Sequence, residues 1–462
     1  MDLKPYLIFR RTFNKGHLKN IYEENIKNSG AIGHDGINHD IFENKIDSEV
    51  DVIIRKTINK TYSFTQYKEK LVLKGANKNP RQISIPSIRD RITLKYISNF
   101  LQSVFDDVIN QEIPQVKIEK VKAELSRNRY DSFVKVDIKS FYPSINHDIL
   151  KRKLNKRVRK AEFIYLIEKA IKTQTLPSPN KNALENETGV PQGLSISNFL
   201  AEIYLADFDR ESFSDDFFFC RYVDDILILC KEGEIEEIYN KVKQSLSLLG
   251  LNTHDFGVDD KCEYGKLDKG FTYLGYTFKS NDVSVRKASV TKIESSIAKI
   301  LTTFKYRQKK ADLIKSKVKR EIETEKNLKI LKWRLDLRIT GCIYNNTKRG
   351  WVFYFSQIND LIVFRELDFT VNKLLKRFNL DGKITPKKFI KTYHESKIKE
   401  KNKYKYICNF DKFSIAEKRK SLELYLGVKS VAKIPDDKVD KLFGMKISSI
   451  IKELELDVGE VS

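Results

Sequence analysis

Apolar residues in the first part of the chain recur three and four positions apart, which predicts mostly helix over residues 17 to 61, broken by the turn-forming Gly33-His34-Asp35-Gly36. The same spacing returns through Leu94, Ile97, Leu101 and Phe105 and predicts a helix over 89 to 109. Between them, Lys70 to Pro86 reads as a short hairpin rich in lysine and arginine. From 132 to 280 the pattern is mixed. Phe133-Val134-Lys135-Val136-Asp137 alternates like a strand, helical spacing follows near 146 to 175 and 196 to 213, and Phe217 to Tyr222 and Ile226 to Cys230 are apolar runs of strand length. Together these predict an α+β core. Beyond about 285 the pattern is mainly helical and very basic, above all from Lys305 to Arg320. With no internal repeat and no low-complexity linker, boundaries follow only from these changes of period.

At 462 residues the chain exceeds the roughly 250 to 300 at which single cores stop growing, so several subdomains are expected. A net charge of +23 has no use in a purely structural protein, whereas a phosphate backbone rewards it through counterion release. Nucleic acid is therefore the first partner to expect. The five cysteines are scattered, with no C-x-x-C pair and no histidine at zinc-ligand spacing, which reads as a reduced, cytoplasmic chain. Met1 to Tyr6 carries no export signal, and no run of about 18 apolar residues predicts a membrane span.

The sharpest chemical feature is Arg221-Tyr222-Val223-Asp224-Asp225-Ile226-Leu227, two adjacent carboxylates between runs that would otherwise be buried strands. Burying one unpaired carboxylate is costly and a neighbour adds repulsion, unless a divalent cation neutralises both. An exposed turn joining two ordinary strands is the other reading. Asp137 ends an alternating strand and runs into the aromatic pair Phe141-Tyr142; it is either a remote third carboxylate or a helix-capping residue. Two hard cations about 4 Å apart on such oxygens would activate a primer 3′-hydroxyl and stabilise departing pyrophosphate.

With these residues in view, the sequence resembles the reverse transcriptases over about residues 30 to 280. Gly33-His34-Asp35-Gly36-Ile37 resembles the G-x-D-G segment of group II intron and retron-type enzymes. Arg81 to Pro86 with Arg89-Asp90-Arg91 resembles the R-x-x-x-I-P…D-R fingers motif, and Asp137 to Tyr142 follows. Gly189 to Asn198 is similar to the P-Q-G loop, Tyr222 to Asp225 carries the acid pair, and Phe271 to Tyr276 is similar to the L-G-Y primer grip. Six motifs in order make the resemblance specific. It implies a right-hand polymerase of α+β class with 1–135 as N-terminal segment and fingers, 136–284 as palm, 285–365 as helical thumb and 366–462 as a helical C-terminal extension.

The same resemblance implies roles. Asp137 and Asp224 would bind two Mg²⁺ ions, with the Ile138 carbonyl and Asp225 assisting. Tyr142, or in competition Phe141, would exclude ribonucleotides by clashing with the sugar 2′ position. Arg81 would clamp the incoming triphosphate with Lys74 or Lys78 as second cation, and Gln192 and Gly193 would lie beneath the nascent base pair. Lys261 would protonate pyrophosphate, with His254 as fallback because Cys262 replaces the usual threonine. Leu274, Gly275 and Tyr276 would grip the primer. Asn182-Ala183-Leu184-Glu185-Asn186 lacks the histidine of the retron box and no Val-Thr-Gly triplet occurs, so the chain departs from ordinary retron enzymes. Trp333-Arg334, Thr340-Gly341-Cys342 and Gly350 to Phe355 resemble the helical extension of defence-associated enzymes, although Trp351 to Phe355 also reads as a buried aromatic stripe. That likeness implies antiphage defence, a noncoding RNA as template or scaffold, deoxynucleotides as substrates, a DNA product, and a second polymerase subunit or homo-oligomer as further partner. Template-independent or protein-primed synthesis by the same site, and a non-catalytic RNA-binding scaffold, are the competing readings.

Overall fold

The computed structural model describes residues 5–27, 30–73, 79–109, 112–212, 216–257, 261–398, 400, 403–428 and 430–458. The fold is α+β, and the chain divides into two compact units, one of residues 1–112 and 130–265, the other of residues 113–129 and 266–462.

In the first unit the helical pattern near the N-terminus resolves into Lys15–Ile21, His39–Glu43 and Ile46–Ile58. The next helix, Ile88–Val104, starts where Ser87 Oγ accepts the Asp90 N–H and buries Ile92, Leu94, Ile97 and Leu101. It stops short of the predicted 109. Asp90 is wholly buried there, where burial raises its pKa; Tyr62 Oη (2.8 Å), the Thr65 N–H (3.0 Å) and Ser87 Oγ (2.8 Å) donate to its carboxylate.

The strands of this unit are β1 (Tyr67–Val72), β2 (Arg81–Ile85), β3 (Ser132–Asp137), β4 (Thr175–Leu176), β5 (Phe218–Tyr222), β6 (Asp225–Cys230) and β7 (Glu263–Lys266). The basic hairpin is β1 and β2, antiparallel with Val72 opposite Arg81, and β4 joins β1 in parallel. The acidic motifs belong to a four-stranded sheet of order β5-β6-β3-β7. From Ile226 to Cys230 every residue of β6 is buried, as are Val134 and Val136 of β3, so both faces at the centre are covered and β6 reads as an unbroken apolar run.

The second unit holds the helices Pro114–Ser126, Lys287–Asp312, Lys317–Thr340, Ile362–Arg377, Phe389–Ser396, Ile415–Leu424 and Asp436–Leu456. It also holds a meander of β8 (Phe271–Tyr273), β9 (Tyr276–Lys279) and β10 (Asp282–Val285). The mainly helical expectation beyond 285 needs one correction. β11 (Cys342–Tyr344), β12 (Thr347–Arg349) and β13 (Cys408–Asn409) form a small sheet, with Asn345 and Asn346 at φ 49° and 54° making the two-residue turn. Strands of two or three residues are too short to show a period. Cys342 and Cys408, far apart in sequence, are direct partners in this sheet, both as free thiols. Trp351 is 1% exposed and packs on Phe355, Phe364 and Phe389, so the aromatic run is core. Among the described residues no helix is long and apolar enough to cross a membrane.

Candidate active site

The register of two strand pairs brings the acidic residues together. Asp225 at the start of β6 faces Tyr222 on one side and Asp137, the last residue of β3, on the other. Residues directly opposite on antiparallel strands have Cα atoms about 4.5–5.5 Å apart and project from the same face. Asp224 occupies the two-residue turn with Val223, and its carbonyl accepts the Ile138 N–H at 3.4 Å, tying the turn to the end of β3. Val223 sits at φ 57°, an outlying conformation for a β-branched residue. Ile138 is buried, whereas Asp137, Asp224 and Asp225 are half-buried at the strand ends.

Asp137 has a cationic neighbourhood. Its Oδ1 lies 3.3 Å from His254 Nε2 and 3.5 Å from Lys261 Nζ, and those two nitrogens are 2.9 Å apart. The two residues expected as alternatives for one role thus converge on the same carboxylate. Cys262 latches the backbone here, its sulfur accepting the Asp137 N–H at 3.2 Å; burial raises its pKa and keeps the thiol neutral.

Of the two candidate rings, Phe141 is 2% exposed and part of the hydrophobic core, which corrects its candidacy for a nucleotide contact. Tyr142 is half-buried and donates to Asn198 Oδ1 at 2.7 Å. Burial, then the negative charge of Asp224, push its phenol well above the usual range, and the positive charge of Arg81 opposes them. Tyr142 is therefore within electrostatic reach of both the acidic turn and the arginine of β2. Gln192 accepts the Ser84 N–H through its carbonyl at 2.7 Å, and Gly193, at φ 97°, packs so closely that a Cβ would come within 2.7 Å of Ile83 Cγ2. The P-Q-G loop is thus docked on the strand that carries Arg81. Lys74 and Lys78 lie outside the described residues.

Leu274, Gly275 and Tyr276 belong to the second unit and are buried there. The Tyr276 hydroxyl donates to the Tyr354 carbonyl and its ring packs on Phe355, so the side chains of the turn expected to grip the primer are packed inside this unit.

Three residues escaped the reading of the sequence. Arg221 is buried and bridges Glu202 and Asp209, both on helix Ser197–Glu211. Burial alone would lower its pKa, but the hydrogen bonds with Asp209 and the charge of Glu202 raise it overall. An arginine inside an apolar strand, with two acids two helical turns apart nearby, is the signal that would have found them.

Residues 68–278 match the family described as Reverse transcriptase (RNA-dependent DNA polymerase). This segment is a reverse transcriptase domain. It contains five of the six ordered motifs, all but the G-x-D-G segment, and ends before the motifs between Trp333 and Phe355. Among its relatives are an uncharacterised 91 kDa protein in the cob intron of Schizosaccharomyces pombe, 26% identical over 45% of this chain and 26% of that protein, and protein YkfC of Escherichia coli, 21% identical over 54% and 76%. The group II intron-encoded protein LtrA of Lactococcus lactis subsp. cremoris is 27% identical over 41% of this chain and 32% of its own length. The chain thus spans less than a third of the length of two of these three relatives. Among solved structures, apo telomerase from Candida tropicalis superposes with a TM-score of 0.41 at 13% identity, covering 92% of this chain and 71% of that one.

Reverse transcriptase domains generally use divalent metal ions. Among the described residues no group of three or more His, Cys, Asp or Glu side chains is placed so as to hold a metal ion. The donors at the strand ends are nevertheless hard oxygens, three carboxylates with the Ile138 carbonyl beside them, and that donor set suits Mg²⁺.

Proposed function

We propose that this chain is an RNA-directed DNA polymerase that extends a DNA strand from deoxynucleoside triphosphates. The observation that carries the reading is the register of Asp137 against Asp225 with Asp224 in the adjoining turn, inside a reverse transcriptase domain. In this reading Asp137 and Asp224 hold two Mg²⁺ ions, assisted by Asp225 and the Ile138 carbonyl. When bound, these cations supply the positive charge that activates the primer 3′-hydroxyl and stabilises the leaving pyrophosphate.

Around them, the residues of the chain position and discriminate. Arg81, always charged, binds the triphosphate of the incoming nucleotide. The Tyr142 ring, held by Asn198, fills the space a 2′-hydroxyl would need and selects deoxynucleotides. Gln192 and Gly193 support the nascent base pair from a loop pinned to β2. Lys261, beside His254, donates a proton to pyrophosphate. A noncoding RNA as template and a cytoplasmic role in antiphage defence complete the reading, on the strength of the motifs between Trp333 and Phe355.

The test is to purify the protein with its bound nucleic acid, add Mg²⁺ and labelled nucleotides, and sequence the product beside an Asp224→Asn Asp225→Asn control. Deoxynucleotide incorporation that copies bound RNA and vanishes in the control supports the proposal. Product without a template match, or DNA covalently attached to protein, would replace RNA direction by template-independent or protein-primed synthesis. Absence of incorporation across metals, nucleotides and added RNAs would leave an RNA-binding scaffold.

A further inference from the structure

Arg221 is 6% exposed, a position where a guanidinium needs every donor answered. Its Nε donates to Asp209 Oδ1 at 2.7 Å, its Nη2 to Glu202 Oε2 at 2.8 Å, and its Nη1 to the Val223 carbonyl at 2.8 Å. The last bond is the informative one. That carbonyl belongs to the peptide group joining Val223 to Asp224, and Val223 is the residue at φ 57°. A β-branched residue in the left-handed region persists only where its surroundings over-determine it. Both carboxylate anchors come from helix Ser197–Glu211, whose second residue, Asn198, also holds the Tyr142 hydroxyl. One helix therefore braces the sugar-facing ring at its N-terminal end and, through Arg221, the acidic turn further along.

We propose that Arg221 is a positioning residue for the polymerase reaction, fixing the Val223-Asp224 turn against Glu202 and Asp209 so that Asp224 and Asp225 are held ready for metal. The inference rests on the polymerase reading and extends it to a residue that touches neither substrate nor metal. Only a planar fork of five donors reaches all three acceptors; a lysine ammonium in the same place would satisfy the charge and lose the geometry.

The alternative is that Arg221 merely neutralises two buried acids, and the test separates the two. Arg221→Lys, and a triple variant Arg221→Gln Glu202→Gln Asp209→Asn that removes the acids with the cation, are compared with wild type as full-length chains. The readouts are melting temperature, deoxynucleotide kinetics, and Mn²⁺ affinity by electron paramagnetic resonance. With melting temperature near wild type, kcat is expected to fall by about 10²-fold, while KM for the nucleotide stays within about 3-fold. Mn²⁺ should bind several-fold more weakly to both variants. Wild-type kcat and Mn²⁺ affinity in a folded triple variant would overturn the proposal, and that variant decides the matter should Arg221→Lys fail to fold. A wild type that incorporates nothing would overturn the polymerase reading instead, while the Mn²⁺ comparison still decides whether Arg221 holds the acidic turn.

Discussion

The turn Val223-Asp224 between β5 and β6 and the turn Leu274-Gly275 between β8 and β9 each close an antiparallel pair with two residues, and each holds a large aliphatic residue at positive φ, 57° and 47°. In the second turn Gly275 follows at φ 78°, so both central residues are left-handed, as the twist of a tight hairpin favours. Its polar groups are answered from within: the Gly275 carbonyl accepts the Arg286 N–H at 2.9 Å and the Leu274 carbonyl accepts the Tyr354 hydroxyl at 3.2 Å. Leu274 is 3% exposed. The first turn is braced from behind by Arg221 and leaves its carboxylates half-exposed at the ends of buried strands. The same backbone device thus serves packing in one unit and the presentation of charge in the other; what differs is which side chains are spent inside.

Four substitutions would break or sharpen that contrast. Asp224→Asn should cost nucleotide incorporation about 10³-fold, roughly 4 kcal/mol of transition-state stabilisation, without lowering the melting temperature, since it also removes like-charge repulsion. Next comes the second turn: Leu274→Ala should lower stability in urea unfolding by about 2–4 kcal/mol through the cavity it leaves. Tyr142→Ala should raise ribonucleotide incorporation relative to deoxynucleotide by about 10- to 10²-fold, measured as the ratio of kcat/KM values, because the clash is gone while the acidic turn is intact. The smallest effect is expected for Val223→Gly. Relief of the left-handed strain and loss of half-buried packing should offset each other to within about 1 kcal/mol in thermal unfolding. A large gain in stability there would mean the strain is stored without compensation.

Much of this was legible beforehand. β3 showed its alternation and β6 its apolar run, and both broke off at acids, because a strand end is where a carboxylate stays hydrated. The basic hairpin and the Ile88–Val104 helix were visible for the same periodic reasons. The pairing of Asp137 with Asp225 was not, since period says nothing about which distant strands are neighbours. His254 illustrates the same limit: it reaches Asp137 through the local bridge between Ile138 and Thr253, a contact that no spacing encodes. Phe141 and Tyr142 are adjacent and alike in sequence, and only the packing of the short helix Phe141–Ser144 decides which ring is core. The hairpin of β11 and β12 did leave a trace in Asn345-Asn346, a pair suited to left-handed turns. Its third strand, arriving from Cys408, left none.

Helix Pro114–Ser126 lies in sequence between two stretches of the first unit yet belongs to the second. It buries Ile118, Val121 and Leu125, and Lys122 donates to the carbonyl of Gln357, a partner 235 residues later in the chain. On the ribosome, at about 5–20 residues per second, that partner emerges roughly 10–50 s after the helix does. During this interval Ile118, Val121 and Leu125 of this mixed-charge helix lack the later-made partner that Gln357 represents in the folded chain. A cut at any single peptide bond also cannot release either unit whole, because the polypeptide crosses from one to the other and back. Biogenesis of this chain is therefore a threading problem as much as a packing one.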